Sequence, residues 1–177
     1  GYLKGIRSAI KNIEGGLIFG YKVKNPKDYG VVEFDKSENK NSLVKSLEEK
    51  PLNPKSNYAI PGLYFYDNNV VKLTKELKPS DRGELEITDL NKSYLKEKRL
   101  SVQILGRGVT WFDTGTHRSL LSASNYVESL ELRQGIKISC IEEIALHMGY
   151  INMKQLEEYI SLYPNNEYRK YLKKLIK

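Results

Sequence analysis

Residues 100–116, LSVQILGRGVTWFDTGT, decide the fold class that we predict for this chain. The segments 100–105 and 109–112 are apolar and rich in β-branched residues, as strands are, and two glycines separate them. The carboxylate of Asp113 and a glycine turn follow, and from Thr116 the spacing of apolar residues becomes helical. A strand, a turn and a helix in this order are typical of α/β proteins, in which ligands bind beyond the carboxyl ends of strands.

Before this segment the chain mixes strands with helices. Residues 57–67, NYAIPGLYFYD, are predicted to form a buried central strand with a kink at Pro61 and Gly62, because both residues disturb a strand. The other elements predicted here are a helix ending near Gly15, strands at 17–23, 29–35 and 42–49, a polar turn at 36–41, and helices at 69–77 and 87–98.

After this segment the pattern is helical almost to the end. We predict helices at 117–132, 141–148, 153–162 and 166–176. Strands mixed with helices, followed by helices alone, indicate an α/β domain with a helical C-terminal region. The expected parts are residues 1–115 and residues 116–177.

The composition is that of a folded protein. The chain has 177 residues, of which 40% are hydrophobic and 29% charged, which suits one domain with a core and not a disordered segment. The longest nearly apolar stretch, 58–66, is too short to cross a bilayer, so no membrane partner is expected. The only cysteine, Cys140, cannot form an internal disulfide, which fits the cytoplasm. The chain starts at Gly1, not at methionine, and runs directly into a helical pattern, which suggests a segment of something longer.

The net charge of +7 suggests an anionic partner, either a nucleic acid or a phosphorylated small molecule. The basic residues are dispersed, and their one local concentration lies in the terminal helix, where cations complement the helix dipole. We therefore expect no nucleic-acid partner.

Three segments carry side chains suited to chemistry, and each has a simpler interpretation. Asp113 lies where a site belongs, but Asp113 or Thr116 could instead cap the following helix, which spacing alone favours. In SLEEKP, residues 46–51, a glutamate and a lysine could bind a sugar hydroxyl and a phosphate, or form a surface ion pair. In DRGELEITD, residues 81–89, an arginine suits phosphate recognition, although acidic residues in a first helical turn need no function.

Taken together, six segments resemble one family. They are YGVVEFD at 29–35, SLEEKP at 46–51, NYAIPGLYFYD at 57–67, RGELEITD at 82–89, GRGVTWFDTGT at 106–116 and RQGIKISCIEEIA at 133–145. In this order they resemble the sugar-1-phosphate nucleotidylyltransferases, most closely the glucose-1-phosphate thymidylyltransferases, over essentially the whole chain.

The resemblance implies a fold and a reaction. The fold would be the C-terminal part of a Rossmann-like nucleotidyltransferase mixed sheet, followed by a helical appendage. The reaction would join dTTP to glucose 1-phosphate with Mg²⁺, giving dTDP-glucose and pyrophosphate for deoxysugars of the dTDP-rhamnose type in polysaccharide biosynthesis. Members of the family form homo-oligomers, usually tetramers, so we expect an oligomer here.

The resemblance also assigns residues. Asp113 matches a magnesium-binding aspartate, Glu49 matches the glutamate that binds glucose hydroxyls, and Lys50 and Arg82 match cations around the sugar phosphate. Further residues matching the sugar pocket or its border are Tyr29, Gly30, Ile60, Tyr64 and Trp111. A second, regulatory nucleotide site at a subunit interface is matched by Arg107, Gly108, Ser139, Glu143 and Ile144.

The chain departs from the family in one respect. The family's glycine-rich phosphate loop and first magnesium aspartate have no counterpart here, so the chain alone is expected to be incomplete and inactive. Two alternatives remain open at this point: a relative that uses another nucleotide, and a non-catalytic module that binds sugar phosphates. Retention of Asp113, Glu49, Lys50 and Arg82 together favours the enzyme.

Overall fold

The computed structural model describes residues 13–35, 42–81 and 83–176. The helix predicted before Gly15, the turn predicted at 36–41 and the candidate residue Arg82 lie outside the described residues. The chain divides into two compact units, Gly1–Trp111 and Phe112–Lys177, which are described separately.

The first unit is a mixed α/β structure, as the sequence predicts. Its described strands are β1 Gly16–Lys22, β2 Gly30–Phe34, β3 Ser42–Glu49, β4 Tyr58–Ala59, β5 Phe65–Tyr66 and β6 Leu100–Ile104, and its described helices are α1 Val70–Glu76 and α2 Ile87–Lys96. The strands pair in the order β4-β2-β3-β6-β1-β5, with a further pairing between β4 and β1. Strands β1 and β6 are parallel, and the other pairs are antiparallel.

Both faces of β1 are buried. Ile18 joins a cluster on one face that includes Val32, Val102 and, from α2, Leu90 and Tyr94. On the other face Leu17 and Phe19 pack with Leu105. Because Leu90 and Tyr94 are spaced four residues apart, they lie on one side of α2 and fix that helix against the sheet.

The prediction of a central strand over 57–67 is wrong. The segment forms two strands of two residues each, β4 and β5, and a turn around Pro61 and Gly62 separates them. The N–H of Leu63 donates to the carbonyl of Pro61 at 2.7 Å, which turns the chain. Since proline has no N–H to continue a ladder, the predicted kink becomes a complete break.

The strand predicted at 109–112 is also absent from the described part of the chain. Strand β6 ends at Ile104, and a turn follows in which Val109 N–H donates to Gly106 O at 3.1 Å. Trp111 instead packs edge-on against Tyr21 and Tyr29, with ring centroids 5.7 and 5.2 Å away. The apolar composition of this segment therefore reflects side-chain packing and not strand pairing.

The second unit is helical, and the four helices predicted there are confirmed. They are α3 His117–Gln134, α4 Ile141–His147, α5 Met153–Leu162 and α6 Glu167–Lys174. Its core is formed by Cys140, Leu156, Ile160, Tyr171 and Leu172. Across the described residues, the helices are too short or too polar to span a lipid bilayer.

Candidate functional site

The neighbouring ends of β2 and β3 bring several of the predicted sugar-pocket residues together. Gly30 is the cross-strand partner of Glu49. The N–H of Ile60 donates to the carbonyl of Gly30 at 2.8 Å, and the N–H of Lys50 donates to the carbonyl of Tyr29 at 3.1 Å. Residues from three separate segments of the sequence thus meet at one edge of the sheet.

Gly30 leaves room for the Glu49 carboxylate. A Cβ atom added at Gly30 would lie 3.1 Å from Glu49 Oε2 and 3.5 Å from Thr88 Oγ1, and the nearest Ile60 carbon would be 3.8 Å away. Even an alanine methyl group would therefore press on the carboxylate. The close approach, and not a special backbone angle, accounts for a glycine at this position.

Thr88 orients Glu49. The Thr88 hydroxyl donates to Glu49 Oε2 at 2.6 Å, and only 2% of the Thr88 surface is exposed. Among the described residues nothing donates to Glu49 Oε1, so that oxygen can accept hydrogen bonds from a ligand. Sequence reasoning missed Thr88, because a threonine in the first turn of a helix gives no sign of a partner 39 residues away.

Tyr64 packs against the buried cluster that includes Ile60. Its ring stacks on Tyr66 with centroids 6.1 Å apart and planes 11° apart. Burial, and secondarily the negative charge of Glu49, raises the pKa of the Tyr64 hydroxyl, so the tyrosine stays neutral and able to donate. Trp111 packs edge-on against Tyr29, which directly precedes Gly30.

Lys50 directly follows Glu49 and so lies beside this cluster. Its backbone is left-handed, with φ of 44°, an uncommon conformation for a residue other than glycine. Its side chain is exposed and has no ion pair in the described part of the chain. The surface ion pair that the sequence allowed is formed instead by Glu48 and Lys55, 2.9 Å apart.

Asp113 lies in the second unit and does not follow a strand, contrary to the prediction. It is exposed, and its Oδ1 accepts a hydrogen bond from Gly115 N–H at 3.3 Å. Thr116 is the N-cap of α3, because its side chain and that of Ser119 each bond the other's backbone. The capping role that spacing suggested therefore belongs to Thr116, which leaves Asp113 available for another function.

The carboxylate of Asp113 is the kind of oxygen ligand that Mg²⁺ prefers. Its second carboxylate oxygen, Oδ2, has no hydrogen-bond partner among the described residues. Magnesium favours one or two carboxylates, with phosphate and water oxygens completing its octahedron. In the described ranges, acidic, histidine and cysteine side chains form no group of three or more that could hold a metal. Within those ranges Asp113 is thus a single carboxylate, and it could hold a metal only together with oxygen atoms from other sources.

The five residues matched to a regulatory site fall in both units. In the first unit, Arg107 helps to line a cleft of about 430 Å³ beyond the ends of β1 and β6, and Gly108 belongs to the adjoining turn. In the second unit, Ser139 is exposed with φ of 57°, and Ile144 is half exposed. Glu143 accepts a hydrogen bond from the Tyr171 hydroxyl at 2.5 Å, so part of its role is to join α4 to α6.

Comparisons with known proteins place this chain in a family. The family model described as nucleotidyl transferase matches residues 1–129. A glucose-1-phosphate thymidylyltransferase of Neisseria meningitidis is 49% identical over 172 residues, covering 97% of this chain and 58% of the relative. Another from Mycobacterium tuberculosis is 48% identical over 178 residues, covering 99% of this chain and 60% of that protein. The chain therefore spans somewhat more than half the length of these relatives.

Comparison with solved structures supports the same family. One from Bacillus anthracis, described as a glucose-1-phosphate thymidylyltransferase in complex with a sucrose, has a TM-score of 0.57 and 39% identity over 71% of this chain and 47% of its own. A UDP-glucose pyrophosphorylase complexed with UDP-glucose has a TM-score of 0.63 over 72% of this chain and 49% of its own, and at 24% identity it supports the fold alone. The resemblance inferred from six sequence segments is confirmed, and the chain belongs to the nucleotidyl transferase family.

Proposed function

We propose that this chain is the sugar-phosphate-binding part of an enzyme that converts dTTP and glucose 1-phosphate into dTDP-glucose and pyrophosphate. The observation that carries the proposal is the cluster of Gly30, Glu49 and Thr88 with the exposed Lys50 beside it. A carboxylate that accepts hydrogen bonds next to an exposed cation matches a sugar with a phosphate at one end. The thymidylyltransferases among the relatives support the same substrates.

The proposed reaction is a displacement at phosphorus. A phosphate oxygen of glucose 1-phosphate forms a bond to the α-phosphorus of dTTP. The bond from that phosphorus to the oxygen bridging to the β-phosphate breaks, and pyrophosphate leaves with both electrons. Bound Mg²⁺ would neutralise phosphate charge, and Asp113 is the residue here that would hold it.

The chain's own residues serve mainly to position the sugar phosphate. Glu49, held by Thr88, would accept hydrogen bonds from sugar hydroxyls and so fix the orientation of the ring. Lys50 would hold the phosphate, together with Arg82. Holding the attacking oxygen in line with the leaving group lowers the entropic part of the barrier.

Several further properties belong to the same proposal. We propose that the product serves deoxysugar synthesis of the dTDP-rhamnose type, that the enzyme is a cytoplasmic homo-oligomer, and that a second nucleotide binds at its regulatory residues. The family resemblance supports these properties, and the unpaired thiol of Cys140 supports a reducing compartment.

The test is an assay of a polypeptide that carries this chain together with the portion of its relatives that the chain does not span. Release of pyrophosphate from dTTP should require both glucose 1-phosphate and Mg²⁺. If the activity with UTP or CTP were greater than with dTTP, that nucleotide would be the substrate in place of dTTP. Binding of glucose 1-phosphate without turnover of any nucleotide would instead indicate a non-catalytic module.

A matched pair of variants tests the role of Lys50. Lys50→Ala should weaken use of glucose 1-phosphate by on the order of 1.5–3 kcal/mol, the usual loss for a hydrogen bond to a charged group. Lys55→Ala removes a nearby lysine that is paired with Glu48, so it should leave the kinetics unchanged. Equal effects of the two substitutions would show that Lys50 contributes only general positive charge.

A further inference from the structure

Asn91 is a buried amide that the proposed mechanism does not use. It lies one helical turn after Thr88 on α2, and 1% of its surface is exposed. Its Oδ1 accepts a hydrogen bond from the Tyr66 hydroxyl at 2.6 Å, while its Nδ2 is buried with no partner in the described part of the chain. A buried donor without a partner destabilises the folded state, so an apolar side chain would be more favourable here. The amide therefore calls for a functional explanation.

Tyr66 is the middle ring of a tyrosine stack, formed by Tyr64, Tyr66 and Tyr94. The planes of Tyr64 and Tyr66 differ by 11°, and those of Tyr66 and Tyr94 by 15° with centroids 5.3 Å apart. Tyr94 belongs to α2, whose backbone fixes it. Tyr66 belongs to the two-residue strand β5, so its bond to Asn91 is a side-chain link between that short strand and the helix.

Helix α2 thus makes two side-chain links from one face, one to Glu49 and one to Tyr66. Thr88 bonds the Glu49 carboxylate directly, and Asn91 bonds Tyr66, against which the ring of Tyr64 rests. Since Thr88 and Asn91 are one turn apart, the two links are rigidly spaced by the helix. Tyr64 packs against the same buried cluster as Ile60, which lies beside Gly30 and the Glu49 carboxylate.

We infer that Asn91 and Tyr66 are positioning residues that hold the ring of Tyr64 in place, so that Tyr64 and Glu49 together orient a sugar ring. This inference rests on the proposed function, because it deepens the account of the same pocket. Neither Asn91 nor Tyr66 contacts the substrate; both act through Tyr64. The buried amide is kept, despite its unpaired donor, because it sets the position of a binding residue.

The test replaces both partners of the link with apolar side chains of similar shape. In the double variant Asn91→Leu/Tyr66→Phe no buried polar group is left unpaired at this point, so the unfolding midpoint should equal or exceed that of the parent protein. The dissociation constant for glucose 1-phosphate, measured by calorimetry, should nevertheless rise about three- to tenfold. A merely structural role predicts no loss of binding in a protein of equal stability.

A second measurement follows Tyr64 itself. In the ligand-free double variant, NMR signals of the Tyr64 ring should show faster ring flipping than in the parent protein. Unchanged ring motion, or unchanged affinity for glucose 1-phosphate, would overturn the inference and leave the proposed function intact. Failure of the parent protein to bind glucose 1-phosphate would overturn the proposed function and this inference with it.

Tyr94→Phe is the matched control. It removes another tyrosine hydroxyl from the tyrosine stack, the one bonded to Asp67 at 2.8 Å, but Tyr94 keeps its place because it is part of α2. We expect this variant to lose stability and to retain its affinity for glucose 1-phosphate. If it weakened binding as much as the double variant, the Asn91–Tyr66 link would have no special role.

Discussion

At the scale of single residues, the candidate site depends on contacts that the sequence specifies only in part. The positions of Glu49 and Lys50 beside a strand end could be predicted from SLEEKP. Their environment could not, because the cross-strand partner of Glu49 is set by register and its hydroxyl donor, Thr88, comes from a helix elsewhere in the chain. The surface ion pair could not be predicted either, because Glu48 forms it with Lys55, whose position follows from the fold.

Gly30→Ala tests whether binding of glucose 1-phosphate requires the space that Gly30 leaves for the Glu49 carboxylate. The added methyl group would lie 3.1 Å from Glu49 Oε2, so the carboxylate must shift by a few tenths of an ångström from the position in which Thr88 bonds it. Affinity for glucose 1-phosphate should fall about tenfold, which corresponds to ~1.4 kcal/mol. The fold should tolerate the change, since Gly30 is not among the glycines with positive φ.

Gly62→Ala is the control for that substitution, because an added Cβ would have no atom within 4 Å other than those of its two neighbours in the chain. Calorimetry with glucose 1-phosphate should give the parent affinity for this variant. If Gly30→Ala also bound glucose 1-phosphate with the parent affinity, binding would not depend on the observed position of the Glu49 carboxylate.

At the scale of secondary-structure elements, helices were predicted better than strands. The start of α3 depends on Thr116 and Ser119, which are close in sequence, so local patterns suffice. The strand predicted at 109–112 failed because its apolar residues have distant partners: Trp111 packs on Tyr21 and Tyr29. The single strand predicted at 57–67 is wrong because the carbonyl of Pro61 accepts a hydrogen bond from Leu63 N–H, which turns the chain there. The sequence shows the proline, but it does not show which backbone group its carbonyl will bond.

Thr116→Ala tests the assignment of the helix cap. The substitution removes the side-chain half of the capping box, so the free energy of unfolding should fall by about 1 kcal/mol in urea titrations. Thr114→Ala changes an exposed threonine for which the structure gives no side-chain hydrogen bond, and it should have no measurable effect. A larger loss for Asp113→Ala than for Thr116→Ala would contradict the assignment, because Asp113 would then be the cap.

At the scale of the whole molecule, each unit contains a carboxylate held by several donors. Asp67 in the first unit accepts hydrogen bonds from Tyr94, from two backbone N–H groups and from Arg99. Glu142 in the second unit is 7% exposed and accepts from Tyr163, from Tyr168 at 2.5 Å and from the Cys140 thiol. Burial alone would raise both pKa values, but the donors outweigh it, and the pKa of each carboxyl is lowered.

The sign of the resulting pH dependence follows from linkage. A carboxyl whose pKa is lower in the folded state binds protons more weakly there than in the unfolded state. Its contribution to stability is therefore complete above the unfolded value, 4.5 for a glutamate, and is lost as the pH falls through the folded value. Both units should lose stability in acid for this reason.

Glu142→Gln should remove that dependence from the second unit. The amide keeps the shape but cannot accept from both tyrosines and the thiol as a carboxylate does, so the unfolding free energy at pH 7 should fall by roughly 1–3 kcal/mol. Between pH 7 and pH 3 the variant should lose less further stability than the parent protein, because the group that titrates is gone. Urea titrations across this pH range, with hydrogen exchange to follow the second unit, measure both effects. Glu157→Gln, at an exposed position on α5, is the control, and its free energy of unfolding should match that of the parent at every pH. If Glu142→Gln also matched the parent at every pH, the buried carboxylate would not stabilise the helical unit.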